Sequence, residues 1–500
     1  MTHPSRTRRR LLGLATTVAL ASAVALGSTA GTTAEASPAS DPPSTPVDTA
    51  PADGTLMSYV VNLKEGQVND SQLKRAERVV TKAGGVVVQS WPQIGVIVAH
   101  STKAAFVDNL PKGTNSPIKS AGQTRTTAVA EGTPGTDSED KSPSRSRKAS
   151  VERTDTTGHE QATKVKADPR EGEQWGNKAI KANRAHKISG GSSDVVVGVV
   201  DSGVDGLHPD LVSNFRSDKS VSCQNAGVPE RKNWGPTTSS HGTHVAGTIG
   251  AARNGEGIVG IAPNTAIAAV KVVNDGGFIY PEYAVCGMMW SAMQGIDVTN
   301  NSYYVDPWAF WCSDQANQAP GMEAVRRAMS YATYKGVAHV AASGNSTYDL
   351  ANKTTDTTSP NDSKAVSRQL NKDCLDLPTE VPGTVSVSSV SDDKAGITKS
   401  GFSNYGKGKI TVAAPGANIL STLPNGQYGS SSGTSMASPH VAGVLALLKA
   451  THPKASPERL IGLLKSQATE MPCDGDTCAG PDNNNGYYGH GLVDALKAVK

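Results

Sequence analysis

The chain is poor in aromatic residues, in cysteine and in long apolar stretches, and its charge is not one-sided. Phe, Trp and Tyr make up 5% of the 500 residues, and the formal net charge is only +3. A balanced charge without a basic block argues against nucleic acid as a partner. The one extended apolar run lies between Leu11 and Leu26, so we expect no stable membrane association of the remaining chain. Abundant glycine, 51 residues, favours a tightly turned α/β protein.

Residues 1–36 have the parts of a signal peptide. A basic segment that ends at Arg10 precedes the apolar run, and small residues around Ala30 and Ala36 follow it as alternative cleavage sites. The segment Thr7–Leu12 also resembles a twin-arginine signal, so the route of export stays open. A membrane anchor is the alternative, but the run is short and rich in Ala and Thr. We therefore expect a secreted, extracellular protein.

The six cysteines all lie in the last 300 residues. Cysteines of an exported protein usually form disulfides, and six of them allow many connectivities. Close spacing and order along the chain suggest the pairs Cys473–Cys478, Cys312–Cys374 and Cys223–Cys286. A zinc site is the alternative, but the chain contains no CxxC pair.

A serine stands among small residues at the start of an apolar helical run. Ser435 follows Gly433 and Thr434, and the apolar side chains from Val441 to Ala450 recur at helical spacing. A hydroxyl at a helix N-terminus lies beside unpaired backbone N–H groups and the positive end of the helix dipole. This position suits a nucleophile whose reaction creates an oxyanion, although a capped, closely packed helix would look the same.

Two further motifs supply the partners that a nucleophilic serine needs. Asp201 follows the uninterrupted apolar residues 195–200, which are typical of a strand buried on both faces, and open α/β sheets place their sites at such strand ends. His241 begins a second helix of small residues. An aspartate that orients a histidine, a histidine that takes the hydroxyl proton and a serine that attacks make a catalytic triad.

The motifs around Asp201, His241 and Ser435 resemble, in this chain order, those of the subtilisin-like serine proteases, or subtilases. The resemblance implies an endopeptidase that cleaves proteins or peptides through an acyl-enzyme and requires no cofactor for the chemistry. It also implies that Asn345 donates to the oxyanion. Two alternatives stay open: a peptide ligase, cyclase or esterase acting at the same serine, and a catalytically silent scaffold that only binds.

The chain divides into a small and a large folded region. Buried strands alternate with helical runs over residues 172–500, which indicates a doubly wound parallel α/β sheet, and the resemblance makes this the catalytic domain. Three strands and two helices in residues 55–111 predict a small α+β domain. That domain resembles the family's inhibitory propeptide, which would be an intramolecular inhibitor before its removal. We expect a monomer by default.

Two segments are so polar that we expect no packed structure in them. Residues 37–54 are rich in Pro, Thr, Ser and Asp, and residues 112–171 contain no leucine and no aromatic residue. Such segments bury too little apolar surface to offset the entropy of ordering them. We therefore predict a disordered leader at 37–54 and a flexible linker at 112–171 that contains the maturation site.

The family resemblance also places a substrate cleft. Two edges and a primary pocket would be formed by Gly277-Phe278-Ile279, Ser302-Tyr303-Tyr304 and Ala342-Ser343-Gly344. An extended substrate would lie between the edges as an added strand. Many relatives have Ser-Leu-Gly at the second edge, and a glycine lets a substrate backbone approach closely. Tyr304 in its place is expected either to narrow the pocket or to turn outward.

A metal site is suggested by the resemblance as well. Asp210 and Asn254 fall where many members of the family hold a structural calcium ion. Carboxylate and amide oxygens are ligands that Ca²⁺ prefers. The alternative is an acidic surface loop that binds no metal.

Overall fold

The structure is a computed structural model that describes residues 41–64, 66–134, 167–393, 396–473 and 477–500. The predicted signal peptide at 1–36 lies outside the described residues, and so do residues 135–166 of the predicted linker. The described residues between Pro42 and Lys500 form a single compact unit. Within the described ranges, no helix combines the length and the apolar character that a membrane span requires.

An antiparallel sheet with one helix forms the first module. Its elements are β1 (Met57–Leu63), α1 (Asp70–Lys82), β2 (Val86–Trp91), β3 (Val96–Ser101) and β4 (Ile118–Gln123). The strand order is β2-β3-β1-β4. A capping box begins α1, since the side chains of Asn69 and Gln72 each accept a hydrogen bond from the other's backbone N–H, at 3.0 and 2.9 Å. The predicted small α+β fold is confirmed, but residues 102–110 form turns instead of a second helix.

Two boundaries predicted from composition are wrong. Strand β4 lies inside the predicted linker and pairs with β1, and residues 42–49 of the predicted leader are hydrogen-bonded to the large domain. The composition wrongly predicted disorder in both places. Backbone and polar side-chain hydrogen bonds hold these segments, and such bonds require little apolar surface. The structure therefore corrects the leader at 42–49 and the linker at 112–134.

The large domain contains the remaining elements. Its helices are α2 (Trp175–Ala179), α3 (Ala182–Ala185), α4 (His241–Gly250), α5 (Pro281–Met293), α6 (Ala319–Tyr334), α7 (Thr434–Thr451), α8 (Pro457–Gln467) and α9 (Ala495–Ala498). Its strands are β5 (Val196–Asp201), β6 (Val221–Ser222), β7 (Ala266–Lys271), β8 (Val298–Asn301), β9 (Trp311–Cys312), β10 (Ala338–Ala342), β11 (Thr355–Asp356), β12 (Arg368–Gln369), β13 (Cys374–Leu375), β14 (Thr384–Asp393), β15 (Gly396–Lys399), β16 (Val412–Pro415), β17 (Ile419–Leu423) and β18 (Gln427–Ser431).

An eight-stranded sheet is the centre of this domain. Its order is β15-β14-β10-β8-β5-β7-β6, with β16 also paired to β14, and every pair except β14–β15 is parallel. Central strand β5 is buried on both faces: Val197 and Val199 pack in the core with α4 and α7, and Val196 and Val200 in the core with α5 and α6. The predicted doubly wound α/β fold is confirmed.

The small module packs its sheet on α5 and α6. Tyr59 and Val61 of β1 face the module's own core and α1, whereas Val60 joins the core that contains α5 and α6. This alternation is the two-residue period of a strand. On the same face as Val60, Asn62 Nδ2 donates to the carbonyl oxygen of Pro320, at the start of α6, at 2.9 Å.

Three disulfides crosslink the large domain. The bonds are Cys223–Cys286, Cys312–Cys374 and Cys473–Cys478. This is the pairing that the sequence suggested, and it leaves none of the six thiols to bind zinc. The first two bonds close loops of 63 and 62 residues and the third a loop of 5. Longer loops restrict the unfolded chain more, so the first two are expected to stabilise the fold most.

Candidate active site

The three residues of the predicted triad lie at element ends on one side of the sheet. Asp201 is the last residue of β5, His241 the first of α4, and Ser435 the second of α7. In the parallel pair of β5 and β8, Val200 lies opposite Asn301, so the next residues, Asp201 and Ser302, follow at the same end of the two strands. Ser302 in turn contacts Ser435, which brings the three motifs to one site.

Asp201 and His241 are tightly paired. His241 Nδ1 lies 2.8 Å and 2.9 Å from the two carboxylate oxygens of Asp201. The Ser202 N–H also donates to this carboxylate at 2.7 Å. Burial opposes a charge on His241, but the Asp201 carboxylate outweighs burial and raises the pKa of His241 above its usual value. The pair thus favours the imidazolium that forms when His241 accepts a proton.

Glycine at position 242 makes this pairing sterically possible. A Cβ atom on Gly242 would lie 2.3 Å from the carbonyl oxygen of Gly203 and 3.2 Å from the Asp201 carboxylate. The Gly242 N–H instead donates to the Ser202 hydroxyl at 3.0 Å. The small residues after His241 therefore allow the start of α4 to lie directly against the end of β5.

Ser435 is held by reciprocal hydrogen bonds with Ser302. The Ser435 hydroxyl donates to the Ser302 carbonyl at 3.2 Å, and the Ser302 hydroxyl donates to the Ser435 carbonyl at 2.9 Å. Among the hydrogen bonds of the described residues, none joins Ser435 to His241. In enzymes without substrate such bonds are often long and tighten only in the complex. A rotation about the Ser435 Cα–Cβ bond would redirect its hydroxyl.

The carboxamide of Asn345 has a fixed orientation. Its oxygen accepts hydrogen bonds from the Thr434 N–H at 2.8 Å and from the Thr434 hydroxyl at 2.9 Å. The same hydroxyl accepts from the Gly344 N–H at 3.1 Å. Two donors on its oxygen leave the Asn345 NH₂ group as the donor that faces away from Thr434. That group lies near the turn that bears Ser435, since a Cβ on Gly433 would be 3.5 Å from it.

Several supporting residues were missed in the sequence. Thr434 orients Asn345, and Asn300 links Ser302 to α7, because its NH₂ group donates to the Ser302 hydroxyl at 2.8 Å and its oxygen accepts from Ser438 at 2.6 Å. Thr434 directly precedes the predicted nucleophile, so its position in the motif could have indicated a role in the site. No feature of the sequence indicated a role for Asn300 in the site, because it precedes the predicted edge and is compatible with an ordinary strand position.

The first predicted substrate edge is partly open. Gly277 has φ +86°, and a Cβ there would meet no atom within 4 Å. Phe278 stacks on Tyr280 with ring centroids 5.7 Å apart. Ile279 is buried, and its N–H donates to the Asp306 carboxylate. Burial raises the pKa of Asp306 to about 7. Ile279 is therefore buried behind this predicted edge and does not form part of its exposed surface.

The second predicted edge turns one tyrosine inward and the other outward. The Tyr303 hydroxyl donates to the Asn301 side chain at 3.2 Å, and burial raises the pKa of Tyr303 above its usual value. The Tyr304 side chain is 41% exposed, and its hydroxyl accepts from Asn361 Nδ2 at 2.9 Å. Of the two outcomes expected for Tyr304, the structure has the outward one.

The predicted pocket residues follow strand β10. Ala342 ends that strand, and its carbonyl accepts from the Thr379 hydroxyl at 2.7 Å. The Ser343 carbonyl accepts from Asn404 Nδ2 at 2.8 Å. Gly344 has φ +96°, and a Cβ there would lie 2.4 Å from the same Asn404 nitrogen. Only glycine fits at this position, which directly precedes Asn345.

The arrangement of Asp210 and Asn254 does not fit the predicted calcium ion. The Asp210 carboxylate accepts from the Ile258 N–H at 2.9 Å and from Asn254 Nδ2 at 3.4 Å. The Asn254 oxygen accepts from the Glu256 N–H at 2.9 Å, so it is the NH₂ group that faces Asp210. A cation needs oxygen ligands, and this local turn directs a donor to the place of one. Beside them, Arg253 forms an ion pair with Glu171 at 2.7 Å.

Comparison with known proteins identifies the family. Residues 192–491 match the profile of the subtilase family. Subtilisin NAT of Bacillus subtilis subsp. natto is 32% identical over 326 residues, which are 65% of this chain and 71% of that protein. Fervidolysin of Fervidobacterium pennivorans is 30% identical over 351 residues, 64% of this chain and 43% of that protein. The chain belongs to the subtilase family and is a subtilisin-like serine endopeptidase.

Solved structures share the fold. The crystal structure of fervidolysin aligns with a TM-score of 0.61 at 23% identity and covers 89% of this chain and 61% of its own. The structure of the epidermin leader peptide processing serine protease of Staphylococcus aureus aligns with a TM-score of 0.63 at 23% identity and covers 89% of this chain and 98% of its own. The coverage is larger than the predicted catalytic domain, 329 of the 500 residues, so the likeness extends into the small module.

Proposed function

We propose that this subtilase cleaves proteins through an acyl-enzyme on Ser435, with His241 as the base, Asp201 as its partner and Asn345 at the oxyanion. The observation that carries the proposal is the short contact of the Asp201 carboxylate with His241 Nδ1, at 2.8 and 2.9 Å, beside the strand end that contacts Ser435. A paired imidazole next to a hydroxyl at a helix N-terminus can perform nucleophilic catalysis.

The four side chains have distinct tasks in this mechanism. His241 Nε2 takes the proton of Ser435 as its oxygen attacks the peptide carbonyl, and Asp201 stabilises the imidazolium through Nδ1. The NH₂ group of Asn345 and the Ser435 N–H donate to the oxyanion. His241 then gives its proton to the leaving amine. Water, deprotonated by the same imidazole, releases the acyl group and restores the Ser435 hydroxyl.

Peptide hydrolysis and its competing reactions are separated in one assay. The wild-type chain, incubated with a peptide ester or amide in the presence of an added amine, should give mainly the carboxylic acid. The Ser435→Ala variant should give no product, and Ser466→Ala, at an exposed serine of α8, serves as a control for general damage. A predominance of the aminolysis product would favour a ligase or cyclase. Activity retained in Ser435→Ala would refute the proposed nucleophile.

We further propose that the small module is an inhibitory prodomain. Residues after β4 run to the predicted substrate edge, where the Thr126 N–H donates to Asp362 at 2.8 Å. The neighbouring residue Asn361 contacts Tyr304, and Arg125 lies over the ring of Tyr280, 4.0 Å from its centroid. A segment that bonds at the edge of the cleft supports obstruction of the site until the module leaves.

Export and self-processing complete the proposal. The secreted chain would lose residues 1–36 and then be cut by its own Ser435 in the part of the predicted linker, 112–171, that follows β4. Intact mass of the secreted wild type and of Ser435→Ala tests this step. The wild type should lack the module, or hold it as a separate fragment, and the variant should retain it covalently. The same cut in Ser435→Ala would mean that another protease performs the processing.

A further inference from the structure

A short polar segment, residues 42–49, lies against polar residues of the catalytic domain. Asp314 accepts hydrogen bonds from the Ser44 N–H at 2.8 Å and from the Ser44 hydroxyl at 2.7 Å. Gln315 Nε2 donates to the Ser44 carbonyl at 2.9 Å and to its hydroxyl oxygen at 2.8 Å. Every polar group of Ser44 is therefore bonded, and the residue is only 2% exposed.

Backbone groups next to this serine are bonded as well. The Thr45 N–H donates to the carbonyl of Gln369 at 3.0 Å, and the Gln369 N–H donates to the Thr45 hydroxyl oxygen at 2.8 Å. Asn371 Nδ2 donates to the Pro42 carbonyl at 3.3 Å and to the Asp314 carboxylate at 2.9 Å. Asn371 thus contacts the segment and also holds the Asp314 carboxylate, which accepts the hydrogen bonds from Ser44.

Further along the segment, one carboxamide makes two contacts. Asn317 Nδ2 donates to the Val47 carbonyl at 2.9 Å and to the Thr49 hydroxyl oxygen at 3.0 Å. Bonds to main-chain N–H and C=O groups are how proteins bind unfolded peptide segments. We name residues 42–49 the strap. The amide groove consists of the five residues Asp314, Gln315, Asn317, Gln369 and Asn371.

The amide groove is built on crosslinked elements. Its first three residues lie between β9 and α6, and the other two lie at β12 and just before β13. The disulfide Cys312–Cys374 joins β9 to β13. Buried Arg368, on β12, forms an ion pair with Asp356 and donates to the Phe310 carbonyl at 2.9 Å. The walls are therefore fixed, and a preorganised groove binds a peptide at a lower entropic cost.

We propose that the amide groove is a peptide-binding site distinct from the catalytic cleft and that the strap of this chain occupies it in the proprotein. The proposal rests on the prodomain role proposed above. The prodomain is then attached at two places, through its sheet on α5 and α6 and through the strap. Two linked contacts retain a fragment longer than either alone, because release of one leaves the other in place. The strap therefore delays the departure of the cleaved prodomain.

Hydrogen–deuterium exchange of the full chain tests the strap without any protease activity. The parent is Ser435→Ala, in which the Ser44 and Thr45 amides, whose N–H groups donate to Asp314 and to the Gln369 carbonyl, should exchange more slowly than those of an unstructured peptide. Ser44→Asp sets a carboxylate against Asp314 and should speed this exchange about 10- to 100-fold, the effect expected when charge-assisted bonds are lost. Ala50→Asp adds the same charge at an exposed position just outside the strap and should exchange as the parent does.

A pair of variants on the groove side repeats the test. Asp314→Asn keeps the size of the side chain but turns an NH₂ donor toward Ser44, and it should also speed exchange of the strap. Asp373→Asn, a change at an exposed carboxylate near the groove, is the matched control. Strap amides that exchange as fast as an unstructured peptide in the parent overturn the proposal. So does a strap that responds to neither Ser44→Asp nor Asp314→Asn.

The active chain tests the second attachment. With Ser435 present, activity should follow processing after a lag, and Ser44→Asp should shorten that lag relative to Ala50→Asp. Equal lags would overturn the role of the strap in retaining the prodomain. A chain without any activity would refute the proposed function, and the exchange experiment would still decide whether the strap occupies the amide groove.

Discussion

Replacing Arg125 by methionine is expected to release the end of the prodomain from the catalytic domain. The guanidinium of Arg125 is 2% exposed and lies 2.5 Å from the carboxylate of Glu282, which is 0% exposed. It also donates to Glu131 at 2.9 Å and to the Tyr283 hydroxyl at 3.0 Å. Methionine preserves much of the side-chain volume but leaves Glu282 buried without its cation.

The magnitude follows from that burial. Removing one partner of a buried ion pair costs about 3–5 kcal/mol, because the remaining charge is uncompensated. At about 1.4 kcal/mol for each factor of ten, the change corresponds to roughly 140- to 3,700-fold in the equilibrium for opening. Glu282→Gln in the same chain removes the stranded charge, so the double variant should lose less than Arg125→Met alone.

Amide exchange in the Ser435→Ala chain measures this opening. The N–H group of Thr126 reports directly, since it is bonded to Asp362 of the catalytic domain at 2.8 Å. It should exchange faster by the factor given above in Arg125→Met, whereas the Val129 N–H, bonded to the Leu56 carbonyl of the same module, should change less. Arg78→Met, at an exposed arginine of the same module, is the matched control and should change neither. Unchanged exchange in Arg125→Met would refute the reasoning.

Three further predictions concern the candidate site. The raised pKa of His241 predicts that kcat/KM rises with pH through a midpoint above 6.5, because activity requires neutral imidazole and is lost as the pH falls through that pKa; a midpoint below 6.5 would contradict the pairing with Asp201. Asn345→Ala should lower kcat about 10²- to 10³-fold with little change in KM, the range known for an oxyanion donor of a subtilisin, and Thr434→Val should cost less because one donor to Asn345 remains. Peptide assays that give the reverse order would refute the orienting role. Removal of calcium with EGTA should leave the Tm unchanged; a Tm that calcium raises in the wild type but not in Asp210→Asn would restore the metal prediction.

Buried elements of the catalytic domain could be predicted from the sequence. The apolar residues 195–200 predicted a strand, and β5 spans Val196–Asp201. A strand covered on both faces must be apolar throughout, so its signal is strong and local. The triad was accessible for a similar reason: each residue stands at an element end among small residues, and those motifs are short. The hydrogen-bond partners of Asn345 could not be predicted from the sequence, because Thr434 is 89 residues away along the chain.

Segments held by hydrogen bonds could not be predicted in the same way. Ser44 and its acceptor Asp314 are 270 residues apart, and neither position is apolar. Strand β4 likewise joins the sheet through its backbone, and its one large apolar side chain is that of Ile118, which is buried. The local bond from the Glu256 N–H to the Asn254 oxygen, which argues against the predicted calcium ion, could not be predicted either. Such bonds leave no periodic pattern in a sequence.

Labelling with a fluorophosphonate probe, read by intact mass and peptide mapping, tests the central assignment most directly. The processed wild-type enzyme should gain one adduct, located on Ser435. Ser435→Ala should gain none, and His241→Ala should react far more slowly, since no base activates the hydroxyl. An adduct on another serine, or equal labelling of Ser435→Ala, would contradict the assignment of Ser435 as the nucleophile.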